Sequence, residues 1–246
     1  MYLIRGQHNL ELFKEKFPGV ALHGTIGNFD GLHKGHQSIL RKIKTEAEKT
    51  NSKTIVFFTE PHASEYFANK QDFKFLPPPR ICSWREKFEL LRDFGIDFAF
   101  FLKFNNSLQT MTPEKFISDI LDNVGLCSFT VGDDFRFGVN REGDFELLQL
   151  WGNQNDIYVS NTDTLKINNE RVSSTRIRQA LLDSNFSLAN KLLGRPYTFT
   201  GKVVHGQQLG RTIDVPTANI WMPSQKLPIS GVYAVECLLE DKFLKG

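Results

Sequence analysis

Short apolar runs alternate with stretches of helical period along most of the chain. Residues 20–26 read as a strand that enters a glycine-rich turn. Residues 37–49 follow, with Ile39, Leu40, Ile43 and Ala47 on one helical face. Residues 55–58 and 98–102 are apolar and short enough for buried strands. Between them, residues 84–94 carry Trp84, Phe88 and Leu91 at helical spacing, with Gly95 as a closing cap. Thr112 and Pro113 suit a helix start, the first as cap and the second in the first turn. Residues 128–132 read as a strand, and residues 177–182 as a helix. Strands alternating with helices predict a parallel α/β sheet, whose ligands bind beyond the carboxyl ends of the strands. After about residue 186 the pattern changes: residues 197–205, 217–221 and 232–239 read as strands, with turns and no long helix between them. This predicts a second, all-β module, a small barrel. Three strands do not close a barrel, so this module is expected to be incomplete, with the last residues, Lys245 and Gly246, in a turn.

Composition adds limits rather than a function. The 246 residues leave room for two domains. A hydrophobic share of 40% with 24% charged residues is ordinary for a globular chain. The formal net charge of +2 gives no electrostatic case for a nucleic-acid or membrane partner. The N-terminus lacks a signal peptide's apolar core, and no run approaches the roughly 18 apolar residues of a membrane span. Cys82, Cys127 and Cys237 are far apart and form no C-x-x-C pair, which points to a reducing, cytoplasmic setting. Many of the 22 phenylalanines fall in the apolar runs, where core packing accounts for them.

The candidate chemistry lies in four places. The first is the turn Thr25-Ile26-Gly27-Asn28-Phe29-Asp30-Gly31-Leu32-His33-Lys34-Gly35-His36. Its glycines allow a backbone to approach a phosphate closely. His33 and His36 can donate to phosphate oxygens, and a helix beginning near Gln37 adds its positive dipole end. Nucleotidyl transfer needs that combination of alignment and charge stabilisation. The bland alternative is a helix-entry turn with two surface histidines. The second place is Ser173, Ser174 and Thr175, with Arg178 one turn along, which suits a phosphate or a plain helix cap. The third is the loop 132–138, where Asp133, Asp134, Phe135, Arg136 and Phe137 suit an ion, an aromatic ligand or core packing. The fourth is in the β module. There Thr217 and Asn219 alternate on one strand face and suit Mg²⁺, while Gly206 and Gly210 suit a phosphate flap.

Taken in order, these segments resemble the bacterial bifunctional riboflavin kinase/FMN adenylyltransferase family, the FAD synthetases. The family's G-x-F-D-G-x-H-x-G-H run is matched by residues 27–36, G-x-D-F-R-F-G by 132–138, and S-S-T-x-[IV]-R by 173–178. Its kinase motifs G-R-P-[YF], V-V-H-G, L-G-R-T and P-T-A-N are matched at 194–197, 203–206, 209–212 and 216–219. The resemblance implies a nucleotidyltransferase-like α/β domain over residues 1–185 and the N-terminal part of a riboflavin kinase barrel over 186–246. It implies two reactions: riboflavin and ATP give FMN, then FMN and ATP give FAD and pyrophosphate. His33, His36 and Arg178 are then the catalytic set. Gly27, Asn28, Phe29, Asp30, Gly31, Gly35, Ser173, Ser174 and Thr175 bind ATP, and Asp134, Phe135 and Arg136 bind flavin. In the kinase, Gly206, Gly210, Arg211, Thr217 and Asn219 serve ATP, with Mg²⁺ on Thr217 and Asn219.

Two positions depart from the family pattern. Ala63 stands where E-P-x-P has its second proline, and Asp214 stands where a glycine is usual. The kinase's later motifs, including its general-base glutamate, have no counterpart before Gly246, so the kinase is expected to be inactive in this form. The alternatives are a nucleotidyltransferase with another acceptor and a non-catalytic flavin binder.

Overall fold

A computed structural model of the chain describes all residues except 69, 71–75, 207–216, 223–225 and 241. The first part is built as β1 (Tyr2–Arg5), α1 (Leu10–Lys16), β2 (Leu22–Ile26), α2 (Lys34–Lys49), β3 (Lys53–Glu60), α3 (Ala63–Ala68), α4 (Trp84–Asp93) and β4 (Phe98–Lys103). It continues with α5 (Asn106–Gln109), α6 (Pro113–Phe116), β5 (Leu126–Gly132), α7 (Phe145–Gln154) and β6 (Tyr158–Thr162). The small hairpin of β7 (Lys166–Ile167) and β8 (Glu170–Arg171) then leads to α8 (Ser174–Leu182) and α9 (Phe186–Leu193).

Six strands form one sheet in the order β1-β4-β3-β2-β5-β6, every neighbouring pair parallel. The predicted parallel α/β architecture is therefore present. β3 shows why the strands read as unbroken apolar runs. Ile55, Val56, Phe57 and Phe58 are all fully buried. Ile55 and Phe57 pack on one face with Phe100 and Phe129, while Val56 and Phe58 pack on the other with Leu40, Ile43 and Leu91. A sheet covered on both faces has no polar side to alternate with. The chain leaves β2 toward β3 on one side, and β5 later takes the other side of β2. The carboxyl ends of β2 and β5 thus flank the point where the strand order reverses, where open α/β sheets bind ligands.

Several elements differ from the sequence expectation. Helix α2 starts at Lys34 rather than near Gln37, because His33 caps it and draws His36 into the first turn. Helix α8 starts at Ser174 rather than 177, because Ser173 is its cap and accepts from the Arg176 N–H. Helix α9 lies beyond residue 186, where strands alone were expected, and buries Ala189, Leu192 and Leu193 against Ile177, Ala180 and Leu181 of α8.

In the last part, β9 (Lys202–Val204) pairs antiparallel with β10 (Asn219–Trp221), and β11 (Glu236–Leu239) with β12 (Lys242–Lys245). The strand character of this part is present, in shorter pieces. Among the described residues these are two separate two-stranded sheets rather than a barrel. Lys245, expected in a turn, belongs to a strand and faces Glu236. Among the described residues, no helix is long and apolar enough to cross a membrane.

Candidate active site

The turn after β2 is folded around its own buried groups. Gly27 donates its N–H to the Phe57 carbonyl at 3.1 Å and so continues the sheet by one bond. Phe29 then takes a left-handed backbone (φ 48°) and buries its ring in the core beside Phe58. Gly31 has φ +76°, and a Cβ there would lie 2.6 Å from Ile81 Cγ2. Only glycine lets the 80–82 segment dock so closely. Gly31 N–H also donates to Cys82 Sγ at 3.1 Å, and burial holds that thiol neutral, its pKa pushed up to about 12.

The two histidines meet at the N-terminus of α2. His33 Nδ1 accepts from the His36 backbone N–H at 3.2 Å. The accepting Nδ1 carries no proton, so the neutral ring holds its proton on Nε2. Burial, with Arg171 and Arg178 nearby, lowers the His33 pKa to about 4, so the ring is neutral at pH 7. The two imidazoles stack with centroids 3.5 Å apart and planes within 13°. Burial first, then His33 and Lys87, also hold His36 well below its ordinary pKa. His36 Nδ1 is buried with no partner among the described residues. Gly35 keeps room for this stack, since a Cβ there would lie 3.2 Å from the His33 ring. Gln37 fastens the helix start, donating to the carbonyls of Leu32 (2.9 Å) and Leu193 (2.8 Å).

The second predicted place folds onto the first. Ser174 Oγ donates to the Asp30 carbonyl at 3.1 Å, which brings the start of α8 against the turn. The Asp30 carboxylate, expected among ATP contacts, faces inward instead. It accepts from the N–H groups of Ile81 and Cys82 at 3.1 Å, and its Oδ2 pairs with Arg178 Nη2 at 2.6 Å. Arg178 Nε donates to the Pro79 carbonyl at 2.7 Å. Asp30 and Arg178 thus clamp three segments together, and the clamp leaves Arg178 Nη1 unclaimed among the described residues. The Phe29 side chain is likewise core.

The loop after β5 lies at the other lip of the switch point. Phe135 and Phe137 stack at 5.6 Å, and Phe137 is buried against Phe116. Asp134 is exposed and pairs with Arg171 at 2.8 Å, which also reaches Asp133 at 3.4 Å. Arg136 pairs with Asp144, the cap of α7, at 2.9 Å.

One cluster was missed by sequence reasoning. Arg80 is buried and bonded to both Glu60 and Glu65. Hydrogen bonds from Arg80 hold the Glu65 pKa below its ordinary value against the opposing pull of burial. Next to it Lys87 is fully buried, with Nζ 3.3 Å from His62 Nε2 and 5.0 Å from the Phe58 ring centroid. Burial and the neighbouring cations Lys87 and Arg80 push His62 down to about 2. The sequence did carry a signal: Lys87 and Leu91 are four residues apart and share the buried helical face.

In the β module, an open pocket of about 250 Å³ is lined by Val203, Val204, His205, Gly206, Thr217, Ala218 and Asn219. Gly206 and Thr217 are thus brought beside Asn219. Gly210, Arg211 and the departure at Asp214 lie outside the described residues. No group of three or more His, Cys, Asp or Glu side chains suited to a metal occurs among the described residues.

The parallel sheet, with helix N-termini and basic side chains at its switch point, defines an α/β domain of nucleotidyltransferase type. A family model described as FAD synthetase matches residues 20–176, and one described as riboflavin kinase matches residues 193–246. The bifunctional riboflavin kinase/FMN adenylyltransferase of Escherichia coli K12 is 43% identical over 248 residues, spanning 100% of this chain and 76% of that protein. Those of Haemophilus influenzae and Pseudomonas fluorescens are 39% and 38% identical, spanning 98% and 100% of this chain and 75% and 76% of theirs. A Streptococcus pneumoniae crystal structure described as a macrolide-efflux protein aligns over 100% of this chain and 77% of that one, with TM-score 0.82 and 28% identity. The chain belongs to the bifunctional riboflavin kinase/FMN adenylyltransferase family.

Proposed function

We propose that the chain makes FAD, transferring the adenylyl group of ATP to FMN, and that its β module is part of a riboflavin kinase, whose full-length form phosphorylates riboflavin with ATP. The two activities divide between residues 1–185 and 186–246, with α9 as the structural link. The family membership supports both reactions, and the stacked His33/His36 pair at the switch point carries the adenylyl-transfer reading. In that step an FMN phosphate oxygen attacks the α-phosphorus of ATP, and the bond to the bridging oxygen breaks. Pyrophosphate leaves with the electron pair.

The protein's part is alignment and charge stabilisation. His33 offers Nε2–H as a neutral donor without giving up a proton. The Lys34 and Gly35 N–H groups, unpaired by helix geometry, face the same anion with the α2 dipole. Ser174, Thr175 and Arg178 approach from α8, with Arg178 oriented by Asp30. The loop with Asp134, Phe135 and Arg136 supplies the flavin side, where the Phe135–Phe137 stack offers an aromatic face.

In the β module, Thr217 and Asn219 present two neutral oxygens beside an open pocket. That donor set fits Mg²⁺ that keeps waters and shares nucleotide phosphates, and fits poorly a metal needing a full protein cage. Mg²⁺ there would neutralise phosphate charge. All substrates are small soluble molecules, consistent with a cytoplasmic enzyme. The test supplies riboflavin or FMN separately with ATP and Mg²⁺, for the parent and for His33→Ala. FMN as sole flavin should yield FAD with the parent and far less with the variant. Equal yields would remove the histidine from the mechanism.

A further inference from the structure

The Gln37 side chain ties two distant peptide units together. Its amide nitrogen carries two hydrogens. One goes to the Leu32 carbonyl at 2.9 Å and the other to the Leu193 carbonyl at 2.8 Å. Leu32 immediately precedes His33, the cap of α2. Leu193 is the last residue of α9, and its carbonyl is one that helix geometry leaves unpaired. The same peptide unit carries the Gly194 N–H, which donates to the Asn190 carbonyl at 2.7 Å. The two helices approach closely here: a Cβ on Gly194 would lie 3.1 Å from Lys34 Cε and 3.5 Å from Gln37 Nε2. The Gln37 oxygen serves neither end; it accepts from the exposed Arg41 at 3.1 Å.

The bond at Leu32 holds a strained residue. Leu32 has a left-handed backbone (φ 41°), a region that a leucine rarely enters. Such a conformation persists only where its surroundings over-determine it. Three contacts do so: its N–H donates to the Phe29 carbonyl at 3.1 Å, its side chain is buried, and its carbonyl is held by Gln37. The carbonyl bond fixes the plane of the 32–33 peptide, and that plane sets how His33 enters α2. His33 in turn accepts from the His36 N–H at 3.2 Å, so both imidazoles inherit the same orientation.

We infer that Gln37 is a positioning residue for adenylyl transfer: it braces the strained Leu32–His33 peptide against the end of α9, and so makes the histidine crevice depend on the helix that leads into the β module. This rests on the adenylyl-transfer reading above. Both amide hydrogens of Gln37 are spent on protein carbonyls, so it acts through His33 and His36 rather than on a ligand. Releasing the brace lets Leu32 relax toward the right-handed region, which rotates the peptide before His33 and moves the phosphate donors out of line. Transfer depends steeply on that alignment, so the loss falls on turnover. The loop 132–138, assigned to the flavin side, is not part of the brace.

The test compares Gln37→Met, which keeps the length without the donors, with Gln37→Asn, whose amide is one methylene too short to span both carbonyls. Arg41→Ala is the control, since it removes the partner of the Gln37 oxygen and leaves both carbonyl bonds. Turnover is read by FAD formation, FMN affinity by flavin fluorescence, and the two ends of the brace by NMR amide exchange at His36 and Gly194. Two ordinary hydrogen bonds are together worth about ten- to thirtyfold in a local opening equilibrium. Both variants should therefore exchange about tenfold faster at His36 and at Gly194 and lose about tenfold in kcat, with FMN affinity within about twofold of the parent. Arg41→Ala should match the parent in every reading. A residue that only stabilises the fold would lower the melting temperature and leave kcat of the folded chain unchanged, and that result overturns the proposal. Faster exchange at His36 with parent-like exchange at Gly194 also overturns it, because the link to α9 is then absent. If Gln37→Met does not fold, Gln37→Asn decides by the same readings. A parent chain that makes no FAD overturns the underlying reading instead, and amide exchange still decides whether the brace exists.

Discussion

Asp30→Ala separates the inward-facing role of this carboxylate from a ligand contact. In the folded chain Asp30 is 1% exposed and accepts from Ile81 N–H, Cys82 N–H and the Arg178 guanidinium. Removing it strands three donors and leaves the Arg178 charge without its partner. Breaking a buried pair by deleting one member costs about 3–5 kcal/mol. For a chain of this size, each kcal/mol moves the melting temperature by about 2–4 °C, so a fall of roughly 10 °C is expected. Differential scanning fluorimetry without ligand reads this directly. Asp30→Asn keeps the shape and one acceptor, and should lose about half as much. The opposite pattern is a melting temperature within about 2 °C of the parent, combined with a large loss of ATP affinity. It would show that Asp30 is a ligand contact and that the clamp is incidental.

Three further outcomes follow from the same geometry. Because His33 titrates near 4 when folded and near 6.5 when unfolded, the unfolded chain takes the extra proton between those values. Stability from this group is complete above about pH 6.5 and falls by about 3 kcal/mol as pH drops to 4, a loss that urea titrations should record and that His33→Gln should flatten. Gly31→Ala meets both a left-handed backbone and Ile81, and should destabilise by about 2–4 kcal/mol in chemical denaturation; a neutral result would mean that the 80–82 segment moves away freely. His36→Ala should lower kcat for FAD formation by about 10²–10³, in line with the loss of one donor to a developing charge. FMN affinity should stay within threefold, and an unchanged kcat would remove His36 from the phosphate site.

Much of this arrangement was legible before the fold was known. The apolar runs at 55–58 and 98–102 became central strands because only a doubly covered sheet accepts such runs. The histidine turn was placed correctly after β2, since glycines between a strand and a helix leave few other geometries. The inward pairing of the Asp30 carboxylate was not legible, because its partners are 51 and 148 residues away and a carboxylate in a glycine turn looks the same whether it faces a ligand or the core. Lys87 was overlooked because a lysine beside a helical stripe normally reaches solvent. Helix α9 was lost in a region judged by its turns. Yet Asn185 caps it, Gly194 ends it at φ +78°, and Ala189, Leu192 and Leu193 keep helical spacing. In the β module, short strands with exposed Trp221, Leu238 and Phe243 gave a strand signal without boundaries.

The central claim is that the crevice between the ends of β2 and β5 joins the phosphate of FMN to the adenylyl group of ATP. The direct measurement incubates the chain with FMN, Mg²⁺ and ATP labelled at the α-phosphorus, and resolves the products chromatographically. The label should appear in FAD, with one pyrophosphate released per FAD formed, and His33→Ala with His36→Ala should abolish the transfer. Label remaining in ATP under conditions where FMN binds, or passing to AMP without FAD, would contradict the account.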